Sequence, residues 1–559
     1  MRSEESTSVT AAPRAVDRPA RAAWADALAG IRFLTRIPAM LRHPVSVRES
    51  RAILRRRLQE RATDFLALAR AGIYARPGSP YRELLQWAGC EYGDLERLVT
   101  RDGVEGALGR LFAQGVYLTV DEFKGRRPAI RGGRAIEVSP DRCRSAPAPA
   151  DVLTETSGSR GPATSMPASL AFVRSGAVNK CLSLDARGGP WRLAHWDVPG
   201  GAITSILSYS MGGARAERWF SPVDLRDPGL HPRYRWSARA MRWGSLLAAR
   251  PLPVAEHVPV DDPVPILRWI SGVLAQGGTP LLVAYTSPVV RLCQAARDAG
   301  VDLGGARFSL YGEPFTAARL AAIRAAGADA FPVYAASESG RIGDGCLAPA
   351  VTDDVHLLDD LHALIQPGDD GARPGLPAHA LLVTSVRPAA PLILLNVSMG
   401  DRAELAERAC GCPLERLGWT RHLSAIRSYE KLTASGMTFL DTDVIRVLEA
   451  VLPDRFGGGP TDYQLVEQDD RDGMSRVVLR VHPRLGPLPA EALARAFLDA
   501  IGAGAGVERV MGQVWRDAGV LRVERLAPVT TASGKILHLS AASPAAARGR
   551  PGLSSASRG

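Results

Sequence analysis

Val529–Ile536 reads VTTASGKI, and its lysine, Lys535, sits on a glycine-bearing loop near the end of a 559-residue chain. Working back from that loop, the residue pattern predicts a helix over Asp443–Val451 and an alternating strand over Ser475–Val481. A helix over Ala490–Ile501 and a strand over Val520–Leu526 follow. Together they make a compact α+β module of about 110 residues, a size that folds as a unit, with the Lys535 loop at its tip. Further upstream, helical segments (Arg291–Ala299, Ala317–Ala326) alternate with β-rich runs (Thr279–Ala284, Ala330–Val333, Ala380–Ser385). That alternation predicts an α/β architecture with a partly parallel sheet. Residues 45–125 carry apolar side chains at helical spacing, as in ESRAILRRRLQERATDFLALARAGIY, and Arg126–Ala150 is loop-rich. No internal repeat is visible.

Composition narrows the function classes. A hydrophobic fraction of 46% with 23% charged residues is that of a globular protein. The net charge of +11 invites a nucleic-acid reading, but the arginines are scattered through amphipathic segments without a basic run interleaved with aromatics. No stretch reaches the roughly 18 apolar residues of a membrane span. Residues 1–24 mix both charge signs with Ala and Pro and read as a disordered leader; residues 541–559 read as a low-complexity, disordered tail. An odd set of seven cysteines without a secretory signal predicts reduced thiols and a cytoplasmic location.

Three further segments bear chemistry. Thr156-Ser157-Gly158-Ser159-Arg160-Gly161 packs hydroxyls and glycines into a loop whose backbone N–H groups suit an anionic phosphate, although it lacks the Walker pattern. Leu310-Tyr-Gly312-Glu313-Pro314 and Tyr334-Ala-Ala-Ser337-Glu338 offer an aromatic face, a hydroxyl and a carboxylate, the last a hard oxygen ligand suited to Mg²⁺. Separately, Cys346, His356 and the Cys410-Gly-Cys412 pair supply three thiolates and an imidazole, a closed tetrahedral zinc set of structural type. The alternative is a group of buried free thiols beside an incidental histidine.

With TSGSRGPAT, YGEP, YAASE, Gly400-Asp401 and TASGK in view, the chain resembles the adenylate-forming (ANL) superfamily, nearest its phenylacetate–CoA ligase-like group. ARPGSPYRELLQWAG is similar to that group's N-terminal segment, and the resemblance runs over roughly residues 45–540. It implies a large N-terminal adenylation domain (25–427, helical over 45–125, α/β over 150–427) and a small mobile α+β lid domain (428–540). It also implies roles. Thr156, Ser157, Gly158, Ser159 and Gly161 would cradle phosphate, with Gly312, Glu313 and Pro314 beside the adenine. Tyr334 would stack on the base, Ser337 touch phosphate and Glu338 hold magnesium. Asp401 would accept from the ribose hydroxyls, Arg427 bridge ribose and phosphate, and Lys535 stabilise charge at the reacting phosphorus. The sequence departs from the family pattern at Arg160, Asn396 and Tyr429.

The activity so implied is ATP-dependent conversion of a carboxylic acid to an acyl-adenylate, then transfer to a thiol, most simply coenzyme A. The alternatives are transfer to a protein or carrier thiol or an amine, and a relative that binds without turnover; a homodimer stays open. An acid pocket is expected within 185–300, where Trp191, Trp196, Tyr209, Trp219, Phe220, Tyr234 and Trp236 either line it or pack the core.

Overall fold

A computed structural model describes residues 32–541 apart from 145–151, 156–164, 229, 388–391, 430–432, 435–436, 439–441, 470–474 and 504–520. The leader (1–24), most of the tail and the phosphate loop expected at Thr156, Ser157, Gly158, Ser159 and Gly161 therefore lie outside the described residues.

Among the described residues, a mixed sheet of twelve strands organises the larger part of the chain. Five strands lie side by side in parallel with Asp329–Ala336: Arg307–Tyr311, Thr279–Tyr285, Trp191–Trp196, Ala216–Ser221 and Ala255–His257. On its other edge Asp329–Ala336 pairs antiparallel with Gly340–Gly345, and every pairing beyond that is antiparallel. The parallel half reads as near-continuous apolar runs because both faces are covered. Thr279–Tyr285 (TPLLVAY) shows why: Leu281 and Val283 pack into one core, Leu282 and Ala284 into another, as side-chain alternation along a strand requires. The first core takes its cover from helices Leu170–Arg187 and Pro199–Met211, the second from Val264–Ala275 and Thr286–Asp298.

The N-terminal region is helical as expected, with Val47–Gln59, Arg61–Ala69, Pro80–Trp87 and Tyr92–Ala113. Ser46 starts the first by a reciprocal capping box with Glu49. The later helices pack with the antiparallel half of the sheet into a third core.

Beyond Arg427, four strands among the described residues, in the order Leu521–Glu524, Ser475–Val481, Tyr463–Asp469 and Leu539–Ala541, form a separate small sheet. Helix Ala490–Gly502 and the helical run from Thr442 to Phe456 close its core around Phe497, Leu448 and Leu465. Every element expected in this stretch is present. Among the described residues no helix is long and apolar enough to cross a membrane. All seven cysteines are free.

Candidate active site

Pairing changes from parallel to antiparallel at Asp329–Ala336, and open α/β sheets hold their crevices outside the carboxyl ends of the parallel strands. Two of the sequence segments end there together. Val333 is in register with Tyr311, so Gly312-Glu313-Pro314 and Tyr334 through Glu338 leave the sheet side by side. The hairpin of Val152–Glu155 and Ser165–Ala168 flanks the expected phosphate loop.

Asp401 and Arg427, 26 positions apart, become neighbours through strand pairing. Val397–Glu407 and Arg421–Ser428 run antiparallel with Asp401 opposite Ser428 and Arg402 opposite Arg427. The Tyr334 hydroxyl donates to Asp401 Oδ2 at 3.0 Å, and burial pushes the Tyr334 phenol well up from its ordinary value. Arg427 Nη1 donates to Asp353 Oδ2 at 2.7 Å, and Asp353 also accepts from the Ala425 and Ile426 amides. A cleft lined by Gly312, Glu313, Pro314, Tyr334, Asp353 and Asp401 results, bounded on its far side by Ile536 to Leu539. Ser337 is exposed and Glu338 half-buried on the turn that follows.

Lys535 is buried, with 7% of its surface exposed. Its loop is folded on itself: the Gly534 amide donates to the Thr531 carbonyl at 2.8 Å and the Lys535 amide to Thr531 Oγ1 at 3.1 Å. Gly534 has φ of +81°, a left-handed conformation that explains the glycine before the lysine. The ammonium rests 4.3 Å from the Tyr285 ring centroid, and a Cβ built on Gly312 would stand 3.1 Å from Lys535 Nζ. Glu313 fastens the loop. Its carboxylate accepts from the Ser287 amide at 2.8 Å, the Ile536 amide at 3.1 Å and Arg319 Nη1 at 3.4 Å, so its acceptor capacity is turned toward protein.

A second cavity, of about 210 Å³, adjoins the first and shares Val333 and Ala335 with it. Phe172, Asn179, Lys180, Asp197, Thr204, Ser205, Tyr311 and Arg341 are among its walls. None of the seven aromatics expected for an acid pocket lines it. Trp196, Trp219, Phe220 and Tyr209 are core residues at 1–2% exposure, whereas Trp236 is 66% exposed. Tryptophans on strands buried on both faces have no route into a cavity at the strand ends. Asp197, which follows Trp196, does reach it. Burial raises its carboxyl to about 6, while hydrogen bonds from Tyr311 and Val198 and the charge of Lys535 act in the opposite direction.

The cysteine–histidine group closes as one cluster. Single ligand atoms of Cys346, His356, Cys410 and Cys412 lie within 4.8 Å of one another. The His356 Nδ1–H donates to the Trp419 carbonyl at 2.7 Å, which leaves Nε2 as the lone-pair nitrogen, 3.2 Å from Cys412 Sγ and 3.6 Å from Cys410 Sγ. Burial and the neighbouring His422 hold the His356 pKa down at about 4, so the ring is neutral and able to ligate.

The irregular residues have local reasons. Asn396 has φ of +49° and its amide donates to the Leu108 and Val116 carbonyls at 2.9 and 3.1 Å, tying the helical region to the sheet. Tyr429 is buried with its hydroxyl 2.6 Å from Ser398 Oγ. Sequence reasoning missed Tyr285, Ser287, Asp353 and Asp197. Tyr285 and Asp197 follow apolar strand runs, a position that could have drawn notice.

The fold and site define a two-part α/β protein in which a lysine from the smaller part is buried against Tyr285 and Gly312 of the larger. No family model matches the sequence, and no curated protein matches it. Solved structures similar to it include the O-succinylbenzoate coenzyme A synthetase MenE from Bacillus subtilis in complex with ATP and magnesium ion. That match has 14% identity, covers 71% of this chain and 70% of that one, and has a TM-score of 0.40. The anthranilate CoA ligase AuaEII in complex with anthranoyl-AMP is 13% identical, with 76% and 71% coverage and a TM-score of 0.43. McyG A-PCP complexed with phenylalanyl-adenylate is 12% identical, with 79% and 72% coverage and a TM-score of 0.40.

Proposed function

We propose that the protein is an adenylate-forming ligase of the phenylacetate–CoA ligase-like kind, joining a carboxylic acid to AMP and then to a thiol, most simply coenzyme A. The observation that carries the reading is the burial of Lys535 against Tyr285 and Gly312, the latter a residue of the cleft of Tyr334 and Asp401. ATP would lie in the cleft of Tyr334 and Asp401, with Asp401 accepting from ribose hydroxyls and Arg427 held ready by Asp353. The acid would occupy the cavity beside Asp197.

When its carboxylate attacks the α-phosphorus, negative charge gathers on the phosphoryl oxygens and departing pyrophosphate. An ammonium beside Gly312 stabilises that charge more than the ground state. Magnesium, for which Glu338 is the proposed ligand, would neutralise the pyrophosphate oxygens. Withdrawal of the lysine loop then gives the thiol access to the acyl carbonyl. Cys346, His356, Cys410 and Cys412 are proposed to hold one structural zinc, joining the segment after Gly340–Gly345 to that after Val397–Glu407. A cytoplasmic location fits seven free thiols.

The test is acid-dependent exchange of labelled pyrophosphate into ATP across a panel of carboxylic acids. Exchange with at least one acid, lost in Lys535→Ala, is the expected result. Near-normal exchange in that variant would refute the assignment.

A further inference from the structure

Helix Pro232–Leu247 (PRYRWSARAMRWGSLL) packs on helix Pro199–Met211 with one face and presents the other to solvent. Tyr234, Met241, Gly244 and Ser245 are buried on the inner face. Trp236, Trp243 and Leu247, at i, i+7 and i+11, share the outer one and are 66%, 63% and 61% exposed. Leu246 beside them and Val254 in the segment that follows are exposed too. Single exposed apolar residues are ordinary, but two tryptophans and two leucines on one helix make a patch of the kind that marks an interaction surface.

The charge around the patch has one sign. Between Asp227 and Glu256 the chain carries Arg233, Arg235, Arg239, Arg242 and Arg250 and no acidic residue. Helical residues 32–42 add Arg32, Arg36 and Arg42, again without an acid. They lie alongside: a Cβ built on Gly244 would stand 2.9 Å from Ile37, and Arg42 donates to the Leu247 carbonyl at 2.6 Å. Arg239 sits 5.5 Å from the Trp236 ring centroid. Glu217 and Glu256, on the neighbouring strands, are paired with Arg192 and Arg218.

We propose that this face docks on a membrane surface rich in anionic phospholipid, with helix Pro232–Leu247 lying in the plane of the headgroups. Arginines flanking an apolar stripe meet the lipid phosphates, while the indoles settle at headgroup level and the leucines reach the acyl boundary. The attachment is peripheral, since no described helix can cross a bilayer. A bilayer accepts projecting indoles without a matched pocket. A second copy of the chain fits less well, because a two-fold interface sets this surface against itself, arginine facing arginine. The proposal stands apart from the adenylation reading.

The test is co-sedimentation of the full chain with vesicles of phosphatidylcholine, alone or mixed in equal parts with phosphatidylglycerol. Wild type is expected to partition onto the mixed vesicles and not onto phosphatidylcholine, and to be released as salt shortens the screening length from about 10 Å toward about 3 Å. Replacing both tryptophans (Trp236→Ser with Trp243→Ser) should weaken partition by roughly tenfold or more. Arg239→Gln with Arg250→Gln should weaken it by about 25-fold, at about fivefold per arginine. Brominated acyl chains should quench tryptophan emission more strongly in wild type than in the tryptophan-pair variant. Both pairs alter exposed side chains, and circular dichroism checks the fold; should one pair fail to fold, the other carries the comparison. Wild-type protein that leaves mixed vesicles unbound overturns the proposal, whether it forms a dimer that the tryptophan change dissolves or binds polyglutamate as a stand-in for an acidic protein. Equal partition onto both kinds of vesicle, or partition that survives in both paired variants, overturns it as well.

Discussion

Lys535 and Asp197 are both buried, the charge of Lys535 acts on Asp197, and each carries a distinct expectation. Replacing Lys535 by alanine removes the ammonium but leaves the loop's own bonds, which run through backbone groups and Thr531. Acid-dependent exchange should fall by at least about 100-fold, the scale of losing a preorganised transition-state contact, with little change in the melting profile. A loss of exchange that merely followed loss of folded protein would deny Lys535 that role. Asp197 gives a pH signature. Its folded pKa of about 6 lies above the ordinary 3.8, so ionising it opposes folding. The stability of the protonated form is complete below about 3.9 and is lost as pH rises through 6. Asp197→Asn, which stays neutral, should match wild type near pH 4 and exceed it by about 3 kcal/mol near pH 8. Denaturant titrations at the two pH values measure this, and a constant difference would mean that Asp197 is not held in the protonated form.

At the scale of elements, the zinc proposal concerns two loops that leave the same sheet. Cys346 follows Gly340–Gly345 and Cys410-Gly-Cys412 follows Val397–Glu407, while His356 sits on Val355–Leu357 between them. One zinc per chain is expected from elemental analysis of protein purified without added metal. Cys410→Ser should lower that content and the melting temperature together; zinc-free protein whose stability Cys410→Ser leaves unchanged would remove the site. This cluster was legible in the sequence because ligand type and spacing speak for themselves. The strands and helices of the small sheet were legible too, since each has one buried face and a clear period. Pairings were not. Nothing local states that Asp401 will face Ser428 or that Arg427 will find Asp353, because register is fixed by partners far along the chain. Aromatics between 185 and 300 misled for a related reason: pattern shows that a tryptophan is buried, not whether a cavity or a core receives it. Asn396 and Tyr429, irregular against the family pattern, proved to be fasteners of the fold.

For the whole molecule, the decisive contact is the one that holds the small part against the large. Glu449, in the helical turn Val447–Val451, reaches across to Arg319 Nε at 2.7 Å and to the Thr316 hydroxyl, while His538 Nε2 approaches it at 2.6 Å. Burial alone would raise the Glu449 carboxyl, but Arg319 and His538 hold it down at about 2. Its contribution to stability is therefore fully present above pH 4.5 and lost as pH falls through 2. Glu449→Gln leaves Arg319 buried with only the more distant Glu313, and should cost about 3 kcal/mol at neutral pH, a difference that narrows in acid. In the proposed cycle the same bonds must break before a thiol can enter. The variant should therefore favour the undocked arrangement, slowing pyrophosphate exchange more than the transfer of preformed acyl-adenylate to the thiol. Single-turnover measurement of each half-reaction decides it: equal slowing of both would show that Glu449 supports the fold without governing which half-reaction the molecule is poised to perform.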